Sequence, residues 1–197
     1  MKTVQDISAA FRKELSALYD MREVDSLCAI VLGDITGTSS AKIKAFPELE
    51  IPEEQAKRIN NILNRLKTGE PVQYILGHTE FYGLPFKVNP SVLIPRPETE
   101  ELVDWVLSGW RSAVGGWQIP YNILDIGTGS GCIAISLKKN LADAGVTGID
   151  ISVEALKTAK ENAELNNVKM NFIQADILNL THYSPLTTHH SLLTTHQ

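Results

Sequence analysis

The first third of the chain repeats apolar residues every three or four positions, the spacing that places one apolar stripe on an α-helix. A first helix, running to about Leu18, is predicted by the stripe Val4, Ile7, Phe11, Leu15 and Leu18. A second apolar run from Val24 to Leu32 predicts another helix, which closes at Gly33 because glycine readily adopts the left-handed conformation of a helix end.

Two more helices are predicted before residue 70. A short one covers Ser40 to Phe46, and a longer one opens at Pro52, since proline suits the first helical turn and the two glutamates after it suit the positive end of the helix dipole. Gly69 and Pro71 stop that helix. Residues 1–70 are therefore predicted to form an all-helical module, which we interpret as a substrate-docking domain.

Residues 71–120 change character and are interpreted as a hairpin, a connecting helix and a linker. The aromatic-rich stretch from Gly77 to Val88 has Gly83 at its centre, which indicates a β-hairpin. An acidic helix start follows at Glu98, directly after Pro97. The stretch Gly109 to Pro120 shows no periodicity and is predicted to be a loop.

Residues 121–180 alternate short apolar runs with helical patterns, which is typical of a parallel α/β sheet. Tyr121–Ile126 is a predicted strand, and a glycine-rich turn and a helix follow it at once. A second strand, Val146–Ile149, precedes a helix from Val153 to Leu165, and Met170–Gln174 is a third strand. The fold class predicted is α/β: a helical amino-terminal domain followed by the first half of a doubly wound, Rossmann-like sheet.

The candidate chemistry lies where these strands end. A glycine turn lets a ligand approach the backbone, and carboxylates after neighbouring strands lie at the edge where doubly wound folds bind ligands. The candidate cofactor-binding residues are Asp125, Gly127, Thr128, Gly129, Ser130, Gly131, Asp150 and Asp176. Each aspartate taken alone is equally well explained as a helix cap or turn residue. Cys132 stands where a dinucleotide fingerprint has its last glycine, which argues against NAD.

The charge and composition of the chain limit the classes of partner and cofactor that we expect for it. The formal net charge of −5 and the sequence pI near 5.5 supply no basic field for a phosphate backbone, so a protein or small-molecule substrate is expected rather than nucleic acid. Cys28 and Cys132 are far apart, and we expect neither a disulfide nor a metal site. The start lacks a signal-peptide core and no apolar stretch is long enough for a membrane, so a cytoplasmic protein is expected.

Several motifs resemble known methyltransferases. Ile123–Gly131, Gly148–Asp150 and Gln174–Asp176 resemble class I S-adenosylmethionine methyltransferases, in which such glycines hold the methionine part of the cofactor and the acidic residues hold ribose and adenine. The stretch Pro71–Gly77, with Glu80-Phe81 and then Leu93–Glu100 (Leu-Ile-Pro-Arg-Pro-Glu-Thr-Glu), is similar to the signature of release-factor glutamine methyltransferases.

That resemblance implies a function in translation termination. S-adenosylmethionine would be the cofactor, and the methyl group would pass to the side-chain amide nitrogen of the glutamine in the Gly-Gly-Gln loop of peptide-chain release factors, which become the expected partners. Leu93 and Arg96 would line the substrate site, although both are equally well explained as ordinary loop and helix-entry residues.

The chain departs from the family pattern near its end. The family's Asn-Pro-Pro-Tyr catalytic motif does not occur in the sequence, so no catalytic residue is assigned. Residues 181–197 are rich in threonine and histidine, and we expect a disordered tail produced by truncation or a frame change; a metal-binding tract is the less favoured explanation. We therefore expect no measurable methyl transfer by this chain. Two alternatives stay open: a non-catalytic binding fragment, or a methyltransferase of another substrate.

Overall fold

The structure, a computed structural model, describes residues 3–112 and 122–182, with side chains described for 3–109 and 122–179. Within these ranges the chain divides into two compact units at Gly77 and His78. The domain limits inferred from the sequence, with a boundary at residue 70, stay a proposal. The expected disordered tail and most of the expected loop before residue 121 lie outside the described residues.

The first unit has only helices as regular elements in its described residues, with one isolated β-bridge between Thr3 and Glu50. Its elements are α1 (Val4–Leu15), α2 (Met21–Thr36), α3 (Ser40–Ala45), α4 (Glu53–Leu66) and α5 (Val72–Leu76). Side chains cap the free amides at several helix starts: Thr3 and Asp6 form a reciprocal capping box, and the Asp20 carboxylate accepts from two backbone amides of α2. The apolar stripes of these helices meet in one core whose fully buried members include Phe11, Leu15, Val31, Leu32 and Ile59.

Two helix ends and one whole helix differ from the prediction. Helix α1 ends at Leu15, and Leu18 is 56% exposed, so it is no part of the buried stripe. Helix α2 runs through Gly33 and closes at Gly37, which has the left-handed φ of 65°. The reason is that the apolar stripe continues to the buried Ile35, which holds the helix together past Gly33. Helix α5 was not predicted from the sequence.

The second unit begins with the predicted hairpin. Strands β1 (His78–Phe81) and β2 (Leu84–Lys87) are antiparallel and joined by Tyr82 and Gly83, both with positive φ (53° and 69°). Two consecutive positive φ angles are the signature of a tight hairpin turn whose twist matches that of its strands. Helix α6 (Glu98–Ser112) follows. The predicted loop start at Gly109 is therefore wrong, because the helix continues three residues past that glycine.

The rest of the second unit is a parallel sheet, which confirms the predicted α/β class. Its elements are β3 (Asn122–Ile126), α7 (Cys132–Asn140), β4 (Gly145–Asp150), α8 (Val153–Leu165), β5 (Asn171–Gln174) and a 3₁₀ segment (Ile177–His182). The described strands pair in the order β3-β4-β5, all parallel, so their carboxyl ends share one edge. The hairpin, α6, α7 and α8 share a core built around Phe81, Phe86, Val103, Leu107 and Ile135.

No described helix has the length and apolar character needed to cross a bilayer. Among the same residues, no cluster of three or more histidine, cysteine or carboxylate side chains is arranged to hold a metal ion.

The buried Phe86 provides a test of the second core. Its ring is fully buried and packs edge-on against Phe81, with ring centroids 6.1 Å apart. We expect Phe86→Ala to lower the free energy of unfolding by about 3 to 5 kcal/mol, because the substitution removes buried contacts and leaves a cavity. Urea unfolding followed by tryptophan fluorescence measures this change, since all three tryptophans lie at or after residue 105.

The matched control is Phe46→Ala, because Phe46 is 50% exposed. It should change the unfolding free energy, followed by circular dichroism, by less than about 1 kcal/mol. Equal losses in the two variants would mean that the Phe81 and Phe86 cluster is not a core of the second unit.

Candidate functional site

The glycine turn between β3 and α7, residues 127–131, is fixed onto the end of β4. The amides of Gly127 and Thr128 both donate to the carbonyl oxygen of Ile149, at 2.8 and 2.9 Å, and the Gly131 amide donates to the Thr128 carbonyl at 2.8 Å. Gly127, Gly129 and Gly131 all have positive φ, at 74°, 54° and 80°. Residues with a Cβ rarely adopt these angles, so the path of the turn requires glycine at each position.

The three glycines differ in what surrounds them. A Cβ on Gly127 would meet no atom within 4 Å, and one on Gly129 would meet only the Gly127 carbonyl oxygen, at 3.9 Å. A Cβ on Gly131 would lie 2.8 Å from the Ile135 Cδ1 and 3.3 Å from the Ala159 Cβ. The open face of the turn is therefore at Gly127 and Gly129, where a ligand has room. Gly131 allows the start of α7 to pack against α8, a role that the sequence did not indicate.

Asp150 joins the turn to the next strand and helix. One carboxylate oxygen accepts the Gly129 amide and the other accepts the Ser152 amide, both at 2.9 Å. A carboxylate offers about four lone-pair positions, so these two bonds leave acceptor capacity for two hydroxyl donors. Asp150 thus organises the turn and can still receive a diol.

Asp125 and Thr128 form a second carboxylate contact beneath the turn. The Thr128 hydroxyl donates to Asp125 at 2.7 Å, and Thr128 is buried. Burial raises the pKa of the Asp125 carboxyl above its usual value, while the hydrogen bond from Thr128 opposes that rise. A Cβ at Gly148 would lie 2.9 Å from the Thr128 hydroxyl and 3.0 Å from the Phe172 ring, so this glycine gives Thr128 its space.

Asp176 lies two residues beyond β5 at the same edge of the sheet. Its carboxylate accepts the Leu178 amide at 2.9 Å and the side-chain amide of Asn179. This is the capping arrangement that the sequence left open for any aspartate after a strand. The Ala175 amide donates to the Asp150 carbonyl at 3.1 Å, which holds the ends of β4 and β5 together.

The structure joins some of the predicted site residues by hydrogen bonds, and the described contacts of Leu93 and Arg96 are local to their own segment. Asp125, Asp150 and residues 127–131 form one connected set of hydrogen bonds. Leu93 is 72% exposed and Arg96 is exposed, and the described bonds of their segment are backbone bonds that open α6, such as Thr99 amide to Arg96 carbonyl at 3.0 Å.

Two positions in this region were not singled out as site residues from the sequence. Gly148 was noted only within a motif. Asn162 is fully buried in α8 and donates to the Ser130 carbonyl of the turn at 2.9 Å. A signal for it existed, because Asn162 falls on the same helical stripe as Ala155, Ala159 and Ala163, where a polar residue needs a partner.

As a whole, the edge fits an adenosine-type ligand. It offers an open glycine turn at the start of a helix, acceptor capacity on Asp150, and a further carboxylate after β5. The described residues of the site include no cluster suited to a metal.

Two family models match the chain, and the first of them ends at Gly77, where the first structural unit ends. Residues 7–77 match the family described as the PrmC N-terminal domain, and residues 120–188 match the family described as a methyltransferase domain. The helical unit and the sheet unit thus each have a recognised counterpart.

Curated relatives match across both parts. A release factor glutamine methyltransferase of Flavobacterium psychrophilum is 43% identical over 175 residues, which cover 89% of this chain and 61% of that protein. Proteins of the same name from Bacteroides thetaiotaomicron and Bacillus subtilis are 42% and 41% identical, covering 87% and 90% of this chain and 59% and 60% of theirs. The chain therefore spans about three fifths of the length of these relatives.

The different surroundings of the glycines predict different effects of adding a methyl group. Gly127→Ala should cost about 1 to 2 kcal/mol of unfolding free energy, because only the left-handed φ is unfavourable. Gly131→Ala should cost clearly more, because the new Cβ also collides with Ile135 and Ala159. Tryptophan-monitored urea unfolding compares them, and an equal or smaller cost at Gly131 would contradict the packing role.

The raised pKa of Asp125 predicts a pH dependence. A carboxyl whose pKa is higher in the folded than in the unfolded state stabilises the fold while protonated, and this contribution is lost as pH rises through the folded-state value. Asp125→Asn cannot ionise and keeps an oxygen for Thr128. From about pH 4, near the ordinary aspartate pKa, to about pH 7, wild type should therefore lose stability relative to this variant. The unfolding free energies of wild type and Asp125→Asn are measured across this pH range. If the two changed with pH by the same amount, Asp125 would not be buried as described.

Proposed function

The chain belongs to the release factor glutamine methyltransferase family, and on that premise we propose that it binds S-adenosylmethionine, the methyl donor with which the family methylates a glutamine side chain of peptide-chain release factors, and that it binds the release factor as well. The curated relatives are named release factor glutamine methyltransferase, and the chain covers about three fifths of their length. The observation that carries the proposal is the open glycine turn bound to Asp150 within a methyltransferase domain.

In the proposed site each residue has a distinct role toward the cofactor. The backbone at Gly127 and Gly129 receives the ligand closely, because no atom occupies the space beside them. The free lone pairs of Asp150 accept the ribose hydroxyls, and Asp176 lies after β5, where the family resemblance assigns the adenine contact. Thr128 and Ser130 are buried and support the turn from below.

Methyl transfer to an amide nitrogen needs more than a bound cofactor. Bound S-adenosylmethionine supplies an electrophilic methyl group on a sulfonium. A glutamine amide nitrogen is a poor nucleophile because its lone pair is delocalised, so the rate depends on holding it in line and accepting its N–H bonds. The family's Asn-Pro-Pro-Tyr motif for that task is not among these 197 residues, so we assign the chain cofactor binding and no catalytic group.

The partner assignment also belongs to this proposal. We place Leu93 and Arg96 beside the substrate because their segment follows Asn89, whose side chain donates to Thr158 in the first half of α8, the helix that starts at the ligand edge. The helical unit is proposed to dock the release factor. A cytoplasmic location, with no nucleic acid or membrane partner, agrees with a substrate that works in translation.

Binding measurements on the 197-residue chain separate this proposal from its alternatives. We expect the chain to bind S-adenosylhomocysteine and, independently, a purified release factor, and to bind transfer RNA no better than an unrelated acidic protein does. Cofactor binding together with RNA instead of release factor would identify a methyltransferase of another substrate. Release factor binding without cofactor binding would identify a non-catalytic fragment.

Asp150→Ala tests the cofactor site itself. We expect it to weaken S-adenosylhomocysteine binding in calorimetry by about 1 to 3 kcal/mol, because hydroxyl groups lose their acceptor. The control is Asp143→Ala, an exposed aspartate between α7 and β4, which should leave the affinity unchanged. Unchanged affinity in Asp150→Ala would remove this carboxylate from the site.

A further inference from the structure

Helix α8 and the residue that caps its end present a row of buried polar side chains, which we call the α8 polar row: Thr158 and Asn162 in the helix and Asn166 directly after it. They are 5%, 0% and 4% exposed and four residues apart, so they lie above one another on one face of the helix. Buried polar groups are costly unless they are hydrogen-bonded, so the partners of this row define its purpose.

The α8 polar row binds strand β2 and Asn89, two residues beyond its end. The Asn166 amide donates to the Pro85 carbonyl at 2.8 Å, and the Asn89 amide donates to the Thr158 hydroxyl at 2.9 Å. Between them, Asn162 accepts the Lys87 amide at 2.7 Å and donates to the Lys87 carbonyl at 3.0 Å, in the way that a neighbouring strand would.

The spacing of these contacts has a geometric basis. Two residues of a strand advance about 6.6 Å and four residues of a helix about 6.0 Å, so every second strand residue meets one turn of α8. The order of the pairs shows that β2 runs opposite to α8, from Asn166 toward Thr158. The chain after Asn89 therefore leaves toward the start of α8, which follows directly from the end of β4 at Asp150.

Asn162 makes a third contact that distinguishes it from the rest of the row. Its amide also donates to the carbonyl oxygen of Ser130, at 2.9 Å. That carbonyl belongs to the peptide that enters Gly131, so its direction sets the course of the last step of the glycine turn. The corresponding amide of Asn166 instead donates its second bond to the Asn162 carbonyl, at 3.0 Å, within α8.

We infer that Asn162 is a positioning residue that couples the glycine turn to the hairpin, so that ligand binding at the turn and the placement of residues 89–97 depend on each other. The inference rests on the proposed function only for the identity of the ligand, S-adenosylmethionine. The coupling itself follows from one fully buried amide that holds backbone groups of both segments.

Asn162→Asp and Asn166→Asp form a matched pair for the test. Each replacement keeps the side-chain shape, removes two donated hydrogen bonds and places a carboxylate oxygen against two carbonyls. Only the bonds lost in Asn162→Asp include one to the glycine turn. Asn162→Asp should weaken S-adenosylhomocysteine binding at least about fivefold, whereas Asn166→Asp should change it less than about twofold at a similar fall in melting temperature.

Hydrogen exchange measures directly whether ligand binding at the glycine turn affects the hairpin. In wild type, S-adenosylhomocysteine should slow exchange of the hairpin amides around Lys87. That slowing should persist in Asn166→Asp and disappear in Asn162→Asp. If Asn162→Asp does not fold, the pair Asn162→Ala and Asn166→Ala replaces it, since alanine removes the amide without adding charge.

The outcomes separate the inference from the proposed function. Equal loss of affinity in both variants, in proportion to stability, would overturn the coupling and leave Asn162 a purely structural residue. Absence of S-adenosylhomocysteine binding by wild type would refute the proposed function. In that case the ligand-free proteins still decide the inference: faster exchange of residues 127–131 in Asn162→Asp than in Asn166→Asp supports it, and equal exchange contradicts it.

Discussion

The carbonyl oxygen of Ile149 accepts two amides of the glycine turn, and the carboxylate of the next residue, Asp150, accepts a third. These bonds fix the turn to the end of β4 before any ligand is present. They are available only because β3 and β4 are parallel and in step, with Ile126 beside Ile149. The geometry of the ligand edge therefore depends on sheet pairing first and on the identity of the turn residues second.

Around this edge, α8 organises the rest of the second unit. Its small side chain at Ala159 leaves space for Gly131 and the start of α7. Thr158 and Asn162 in α8, and Asn166 directly after it, hydrogen-bond β2 and Asn89 in the way that a neighbouring strand would. Apolar contacts from Phe81 and Phe86 add the cohesion that polar contacts alone do not supply. One helix thus connects the two segments in which the family resemblance is strongest.

The sequence predicted those features that depend on local periodicity and on turn chemistry. The helices before residue 70 and the alternation of strands and helices after residue 121 were predicted from apolar spacing, and the hairpin was predicted from its aromatic residues and Gly83; all three were confirmed. Helix ends were less predictable, because burial of Ile35 carries α2 past Gly33 to Gly37. The helical stripe marked Asn162 as a buried polar residue that needs a partner, but neither that partner nor the role of Gly131 could be predicted. Both depend on α8 packing beside the turn, a contact between segments distant in sequence.

We propose that S-adenosylmethionine binds at the open face of the glycine turn, between Gly127, Gly129 and Asp150. Backbone amide chemical-shift mapping of the isotopically labelled chain, titrated with S-adenosylhomocysteine, tests it most directly. We predict the largest saturable shifts at the amides of Gly127, Gly129 and Ser152, which border the turn and the Asp150 carboxylate. Saturable shifts confined to the helical unit, with residues 127–131 unchanged, would contradict it.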